Sequence, residues 1–363
     1  MKNRLTAGAA LLLTTTIANA GGIDRSGNAY SVLFEDGDYV QLSFSSVTPD
    51  VSGEYQPTFG GGSTGNMTES YLSLGAALKY GVTDQIDLAL FINQPFGADA
   101  DYTSGAYTGL TAEWESTQVA ALAKYQATDA VSVYGGVRAV QSQATITIPA
   151  ALFGGSEYTA DTETNTQFGY VLGAAYEMPE IALRVGLTYE SGITHDFDTS
   201  EAVNGTTVLE STTDIELPQS LALDFQTGIA EDTLLFGSVR WSEWSVWQVV
   251  PAFYESQTGE RVTGIDDDVF TYRLGLGRRL NDEFSVFGRV TFEDATGGDA
   301  SRLAPTDGST GIGFGGTYTV DNIAFTGGVE YVVLGDATDA APTETEFSDN
   351  SAIAVGLNVG YSF

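Results

Sequence analysis

His195 is the only histidine in a chain of 363 residues that contains no cysteine, and Ser191 lies just before it. An imidazole beside a serine hydroxyl is the minimum for base-activated nucleophilic attack. A lone histidine at the end of a strand is more often an exposed loop residue, and that is the expectation for His195. Asp266-Asp267-Asp268 offers carboxylates to calcium, but it lacks the spaced ligands of a dedicated calcium loop and reads as a solvated run of charge. Gly311-Ile312-Gly313-Phe314-Gly315-Gly316 matches the glycine pattern of a dinucleotide-binding turn. That turn must open a helix after a strand, so that the helix amino-terminus meets the pyrophosphate. Here the glycines fall inside an alternating strand with no helix behind them. No catalytic residue, metal ligand or cofactor is assigned, and no enzymatic activity is expected.

What remains chemically active is a set of cations. Lys79, Lys124, Arg138, Arg184, Arg240, Arg273 and Arg289 each lie in an extended segment, on the face opposite its apolar residues. Asp87, Glu177, Glu190, Asp224 and Glu330 share that face. Such a face has two compatible uses. It can brace an interior with ion pairs between strands, or form a basic ladder that draws an anionic ligand along a lumen.

The segments that carry these residues repeat one pattern. In Ser351 to Phe363, Ile353, Val355, Leu357, Val359, Tyr361 and Phe363 fall on one side. Ala354, Gly356, Asn358, Gly360 and Ser362 fall on the other. Successive side chains of a strand point to opposite faces, so one face is apolar and the other small and polar. About fourteen such segments, an even number as these barrels require, run from Asp38 to the carboxy-terminus. Short turns, such as Gly81 to Gln85, Thr128-Asp129, Pro179-Glu180 and Asp321-Asn322, alternate with long connections. This predicts an all-β protein, a transmembrane antiparallel β-barrel with short periplasmic turns and long extracellular loops. Only a closed sheet satisfies its backbone in lipid, and a cation facing lipid at the midplane costs about 2 to 4 kcal/mol. The inward placement of the basic residues agrees with that. A soluble sandwich would instead bring the apolar faces together in a core.

The ends of the chain fit export. Lys2 and Arg4, the apolar run Leu5 to Ile17 and the small residues Ala18-Asn19-Ala20 form a secretory signal peptide. The expected divisions are therefore 1–20 signal peptide, 21–37 short amino-terminal segment, and 38–363 barrel. No later stretch is long and apolar enough for a membrane helix. The chain has 14 Lys and Arg against 48 Asp and Glu; without Lys2 and Arg4 this is 12 against 48, a net charge of −36. Nucleic acid is excluded as a partner, because phosphate binding needs a basic surface. Loop acids such as Asp99 to Asp101 and Asp336 to Asp349 suit a solubilising exterior, or divalent-cation bridges to lipopolysaccharide.

Two stretches go beyond a generic barrel. One is Asp84-Gln85-Ile86-Asp87-Leu88-Ala89-Leu90-Phe91-Ile92-Asn93-Gln94-Pro95-Phe96-Gly97, followed by Tyr102. The other is Leu217-Pro218-Gln219-Ser220-Leu221-Ala222-Leu223 with Phe236-Gly237-Ser238-Val239-Arg240-Trp241-Ser242-Glu243-Trp244-Ser245. With the signal peptide and the terminal aromatic residue, these resemble the FadL/TodX family of outer-membrane hydrocarbon transporters over most of the mature chain. The resemblance implies a third strand that bends inward at Pro95, Phe96 and Gly97 and opens the wall sideways. Pro95 cannot donate to a ladder and Gly97 tolerates unusual dihedrals; a Pro95 that merely ends the strand is the alternative. It also implies ligand capture between extracellular loops, where Phe59, Tyr102, Tyr107, Leu110 and Phe153 are available. Phe59, Phe91, Phe96, Tyr102, Arg138, Trp244 and Trp247 are the candidate ligand contacts. Trp241, Trp244 and Trp247 read first as an interfacial aromatic girdle, with ligand contact by Trp244 or Trp247 the alternative. Tyr361 and Phe363 look like the signal read by the barrel-assembly machinery. The Asn-Pro-Ala element of the family's amino-terminal hatch does not occur, so only a shortened plug is available in 21–37.

The expected function is passive uptake of hydrophobic or amphipathic molecules, long-chain fatty acids or hydrocarbons, across the bacterial outer membrane, with exit near Pro95 to Gly97. A water-filled porin for small polar solutes is the alternative. The expected partners are outer-membrane lipid, lipopolysaccharide, the assembly machinery and an apolar small molecule, with the barrel a monomer.

Overall fold

The computed structural model describes residues 23–25, 30–340 and 343–363. The expected signal peptide lies outside these residues. The wall is built from β1 (Tyr39–Asp50), β2 (Tyr71–Thr83), β3 (Ile86–Asn93, continued after a break by Gly97–Asp101), β4 (Thr111–Gln126) and β5 (Val131–Ile148). It continues through β6 (Asn165–Met178), β7 (Leu183–Glu190), β8 (Ser220–Ala230), β9 (Thr233–Ser242) and β10 (Val269–Arg279). β11 (Phe284–Glu293), β12 (Ser309–Val320), β13 (Ile323–Leu334) and β14 (Ser351–Ser362) complete it. Each strand pairs antiparallel with its chain neighbours. β14 returns to β1 from Tyr39↔Ser362 to Asp50↔Ser351, which closes a fourteen-stranded barrel.

The burial pattern is that of a soluble protein turned inside out. Phe168 is 72% exposed and Val137 61%, while Arg138, their neighbour on β5, is 2% exposed. Among the described residues the apolar strand faces do not meet in a dry core, so the sandwich alternative fails on side-chain direction alone. The short turns use residues that tolerate a left-handed backbone: Asp232 and Asp321 have φ of 57° and 51°. At Pro179 the turn takes a 3-10 form through Ile181, and β7 starts at Leu183.

Above the lipid belt the sheet continues as a collar. The outer end of β5 pairs with Tyr158–Thr162. That strand pairs with Ile193–Val203, which forms a hairpin with Thr206–Leu217. Thr194, Asp196, Asp198, Asp214 and Glu216 are exposed on the outer side of this hairpin, a composition for water and not for lipid. The loops above close over a cluster that includes Tyr55, Tyr102, Tyr107, Tyr158 and Phe347.

The amino-terminal segment lies inside the wall. A 3-10 turn, Tyr30–Phe34, buries Val32 and Leu33 against inward residues such as Ala89, Phe91, Ala120 and Val171. Tyr30 meets Phe91 edge-on at 5.1 Å. Lys79 donates to the carbonyls of Glu35 and Gly37 at 2.6 and 2.9 Å, and Lys124 to that of Leu33 at 2.7 Å. The carbonyl end of a helical turn lacks internal partners and carries partial negative charge. Two lysines from the wall supply what it lacks.

Candidate functional site

The pairing of β2 with β3 stops at Ala76↔Ile92. Above it, Tyr71 to Gly75 continue pairing with β1, whereas β3 breaks over Gln94 to Phe96 and resumes at Gly97 paired with β4 and no longer with β2. Pro95 has no N–H to keep the ladder going. The bend is fixed from both sides. Ser116 Oγ accepts from Phe96 N at 2.8 Å and donates to Phe96 O at 2.6 Å. On the lumen side Arg25 N donates to Pro95 O at 2.9 Å and Gly97 N to Ile23 O at 3.0 Å, so residues 23–25 act as a short added strand. Thr68 bridges to Ala100 further up. The wall therefore has a window between Tyr71–Gly75 and Gln94–Asp99, across which Leu74 N donates to Gln94 Oε1 at 3.1 Å.

Arg25 sits at this window with its guanidinium 3.7 Å from the Tyr71 ring centre, an arrangement favoured by the ring's quadrupole. Gly97 is needed there for space. Its φ is not left-handed, but a Cβ on it would stand 2.4 Å from the Arg25 guanidinium.

Two cavities lie next to each other behind the window. The inner one is lined by Ala98, Ala112, Trp114, Ile146, Ile215 and Trp247, among others, with Ile23 from the amino-terminal segment. The second lies at the window and includes Arg25, Glu69, Tyr71 and Asp99. Ala98, Leu303 and Ala304 line both.

An unbroken series of aromatic rings joins the bend to the inner cavity. Phe96 meets Trp244 at 5.9 Å, Trp244 meets Trp247 at 6.4 Å, and Trp247 meets Trp114 at 6.1 Å. Trp114 then meets Phe197 at 5.7 Å, and Phe197 stacks on His195 at 5.1 Å. His195 is fully buried, not an exposed loop residue. Its Nδ1 lies 2.9 Å from Asn165 Oδ1, and Asn165 donates its own N–H to Asp196 O at 2.9 Å. The imidazole thus donates from Nδ1, and burial lowers its pKa to about 4. The sequence signal for this placement was the period of two through Ile193, His195 and Phe197.

The basic ladder points inward along its whole length and is engaged. Lys79 and Lys124 face Asp87 at 3.7 and 3.2 Å. Arg138 pairs with Glu190 at 2.8 Å and donates to Ser191 O at 2.5 Å. Arg240 pairs with Asp24 of the amino-terminal segment, and Arg289 with Glu330. Arg184 donates to Gln226 at 3.2 Å and lies 4.7 Å from the Phe34 ring centre. Arg273 also faces the lumen, on β10.

The other expected contacts spread out. Trp247 lines the inner cavity, with Phe96 and Trp244 directly behind it. Trp244 and Trp247 turn inward and are buried, so of the three tryptophans only Trp241 sits in the wall, on β9. Tyr102 belongs to the roof and donates to Arg302 O at 2.6 Å. Phe91 lies below, against Tyr30, and Phe59 is 37% exposed. Asp266 is paired with Arg261 at 2.6 Å, and Asp268 accepts from Trp241 Nε1 at 3.1 Å. Among the described residues no group of three or more His, Cys, Asp or Glu is placed to hold a metal ion. Tyr361 and Phe363 stack on the outer face at 5.8 Å.

A closed inside-out barrel with a bent third strand, a filled lumen and an apolar cavity above defines an outer-membrane transport barrel. The family of outer membrane protein transport proteins (OMPP1/FadL/TodX) matches residues 15–363, and the chain belongs to it. In three dimensions it is similar to a Pseudomonas aeruginosa FadL homologue, with 13% identity, 93% of each chain covered and a TM-score of 0.76. It is also similar to the P. putida toluene transporter TodX, at 14% identity, 93% of each chain and 0.66. The Ralstonia pickettii toluene transporter TbuX gives 13% identity, 97% of this chain, 99% of that one and 0.64. No curated protein matches the sequence.

Proposed function

We propose that this protein admits hydrophobic or amphipathic molecules, of the classes of hydrocarbons and long-chain fatty acids, passively across the outer membrane and releases them sideways at the β2–β3 window. The supporting observation is that the inner apolar cavity and the window cavity are neighbours, with Ala98, Leu303 and Ala304 in the linings of both. A straight aqueous route is less consistent with an amino-terminal segment bonded to the lumen wall. Trp247, backed by Trp244 and Phe96, would form part of the inner contact surface, and Pro95 to Gly97 the movable edge.

Uptake of labelled toluene and labelled oleate into cells lacking other such transporters tests the first step. Expression should raise uptake of at least one. A short bis-maleimide joining Ser73→Cys to Gln94→Cys across the window tests the second. It should block uptake, whereas either single cysteine should not. Unaltered uptake in the bridged protein would remove lateral release. Rapid swelling of liposomes in sugar would instead support the porin.

A further inference from the structure

One side of the inner cavity is closed by a single layer of chain. Residues 248–264, in the connection from β9 to β10, run out along a two-residue ladder, turn through a short helix, α1 (Ala252–Thr258), and return. Val249, Pro251, Val262 and Thr263 line the cavity, whereas Glu255 to Glu260 are exposed. The ladder, Gln248↔Gly264 and Val249↔Thr263, joins no strand of the wall. Most of the segment's hydrogen bonds stay within its own connection. Arg261 reaches both Gln248 and Asp266 at 2.6 Å, and Val262 N donates to Val249 O at 2.9 Å. At the base, Ile265 N donates to Trp247 O at 3.1 Å, and Asp268 accepts from Trp241 Nε1 at 3.1 Å and Ser245 Oγ at 2.6 Å. The segment is thus built to move as one body about a fixed base.

Beyond that connection, its hydrogen bonds to the other described residues are made in two places. The hydroxyls of Thr263 and Ser301 lie 2.5 Å apart. The other place is Glu201, which ends the inward row Ile193, His195, Phe197, Thr199 and Glu201 of the collar hairpin and is fully buried. Its carboxylate accepts from Phe253 N at 2.8 Å, Tyr254 N at 2.9 Å and Tyr158 Oη at 2.7 Å. The Tyr254 ring stacks on Phe153 at 5.7 Å and meets Tyr158 at 5.3 Å. A buried carboxylate needs strong donors, and here they come from the first turn of α1 and one tyrosine. Swinging the segment out would return the carboxylate and both N–H groups to water, so the net cost of release is small.

The closed cavity is also tight. Its free volume is about 60 Å³, against roughly 150 Å³ for an engineered apolar cavity that takes benzene. A hydrocarbon or fatty acid therefore needs the lining to part. We propose that residues 248–264 are a lid on the inner cavity, swinging about Trp247 and Ile265, and that Glu201 is the positioning residue that latches it. This rests on the uptake reading above and adds the step by which the ligand enters.

Thr263→Cys combined with Ser301→Cys puts two thiols where the hydroxyls meet, in a chain with no cysteine of its own. Uptake of labelled toluene and labelled oleate is measured in the same cells before and after reduction, with the disulfide verified by mass spectrometry. The oxidised pair should abolish the uptake that the unaltered protein gives, and reduction should restore it. Glu201→Ala should quicken hydrogen exchange across 248–264 while the β10–β14 wall stays protected, which also reports a folded barrel. It should raise uptake at low substrate roughly threefold, because the open fraction grows by about the weight of one net hydrogen bond. Glu201→Gln, which keeps one acceptor oxygen, should fall between. Full uptake through the disulfide-bonded form overturns the lid while leaving uptake standing. Exchange and uptake unchanged in Glu201→Ala overturn the latch. Uptake of neither label by the unaltered protein overturns the reading on which both rest.

Discussion

Gly97 shows how a residue's place in the fold can rest on a different physical reason from the one its type suggests. In sequence it stands out beside Pro95 as a place for unusual dihedrals; in the fold its backbone is ordinary and its missing side chain makes room for Arg25. Because the atoms it would strike are the far end of a flexible side chain, Gly97→Ala should leave the urea midpoint nearly unchanged yet displace the guanidinium. Limited trypsin digestion followed by mass spectrometry should then show faster cleavage after Arg25 than in the unaltered protein. His195 gives a pH prediction at the same scale. Its imidazole holds a pKa of about 4 in the fold against about 6.5 in the unfolded chain. Between those values the unfolded state binds the extra proton, so stability rises with pH through that window and is lost on acidification from about pH 6.5 to about pH 4. A His195→Gln variant should flatten that part of the urea-unfolding profile; an unchanged slope would assign the acid sensitivity to other groups. The buried position of His195 was written in its alternation with Ile193 and Phe197, but its apolar surroundings come from Trp114 on a distant strand, which no local pattern announces.

At the scale of elements, the fourteen wall strands were legible because lipid imposes an uninterrupted apolar face on each. Leu72, Leu74 and Leu78 on β2, or Phe168, Tyr170 and Leu172 on β6, can be read directly. The collar hairpin was not read. Above the bilayer the outer face is Thr194, Asp196 and Asp198, and the inner face includes Thr199, Glu201 and Thr213, which are buried but polar. Polarity no longer separates inside from outside there. A signal was nevertheless present in Asn204-Gly205, the residue pair most suited to a tight hairpin. Their φ values of 49° and 73° are both left-handed. Gly205→Val should cost about 1 to 2 kcal/mol locally, the penalty of a left-handed backbone for a residue with a Cβ. Hydrogen exchange should therefore quicken across the hairpin tip while the β10–β14 wall is unaffected. Equal protection in the tip peptides would mean that its pairing with Tyr158–Thr162, and not the turn, holds the hairpin. The break in β3 belongs to this scale too. Pro95 marks where pairing must fail, but the inward course of the chain depends on Ser116 and on residues 23–25, which are remote in sequence.

For the molecule as a whole, the distribution of charge and the position of the amino-terminal segment have to be taken together. The barrel is strongly acidic outside the lumen and gathers its cations within it, where Lys79, Lys124, Arg184 and Arg240 touch the segment between Asp24 and Gly37. That segment contributes an apolar turn, carbonyl groups and the Asp24 carboxylate. Its removal would therefore do two things at once: open the cross-section and strip a set of wall cations of their partners. Deleting residues 23–37 behind an intact export signal should give a barrel that still shows the heat-dependent gel shift of a closed sheet, since the β14–β1 ladder starts beyond the cut. In planar bilayers its conductance should exceed that of the full chain. The reversal potential under a KCl gradient should indicate anion preference, set by the uncovered Lys79, Lys124 and Arg240, and that preference should weaken at high salt as screening shortens the reach of these charges. A deletion barrel that folds and conducts no better than the full chain would show that the roof over Tyr102, Tyr107 and Phe347, and not the amino-terminal segment, closes the lumen to ions.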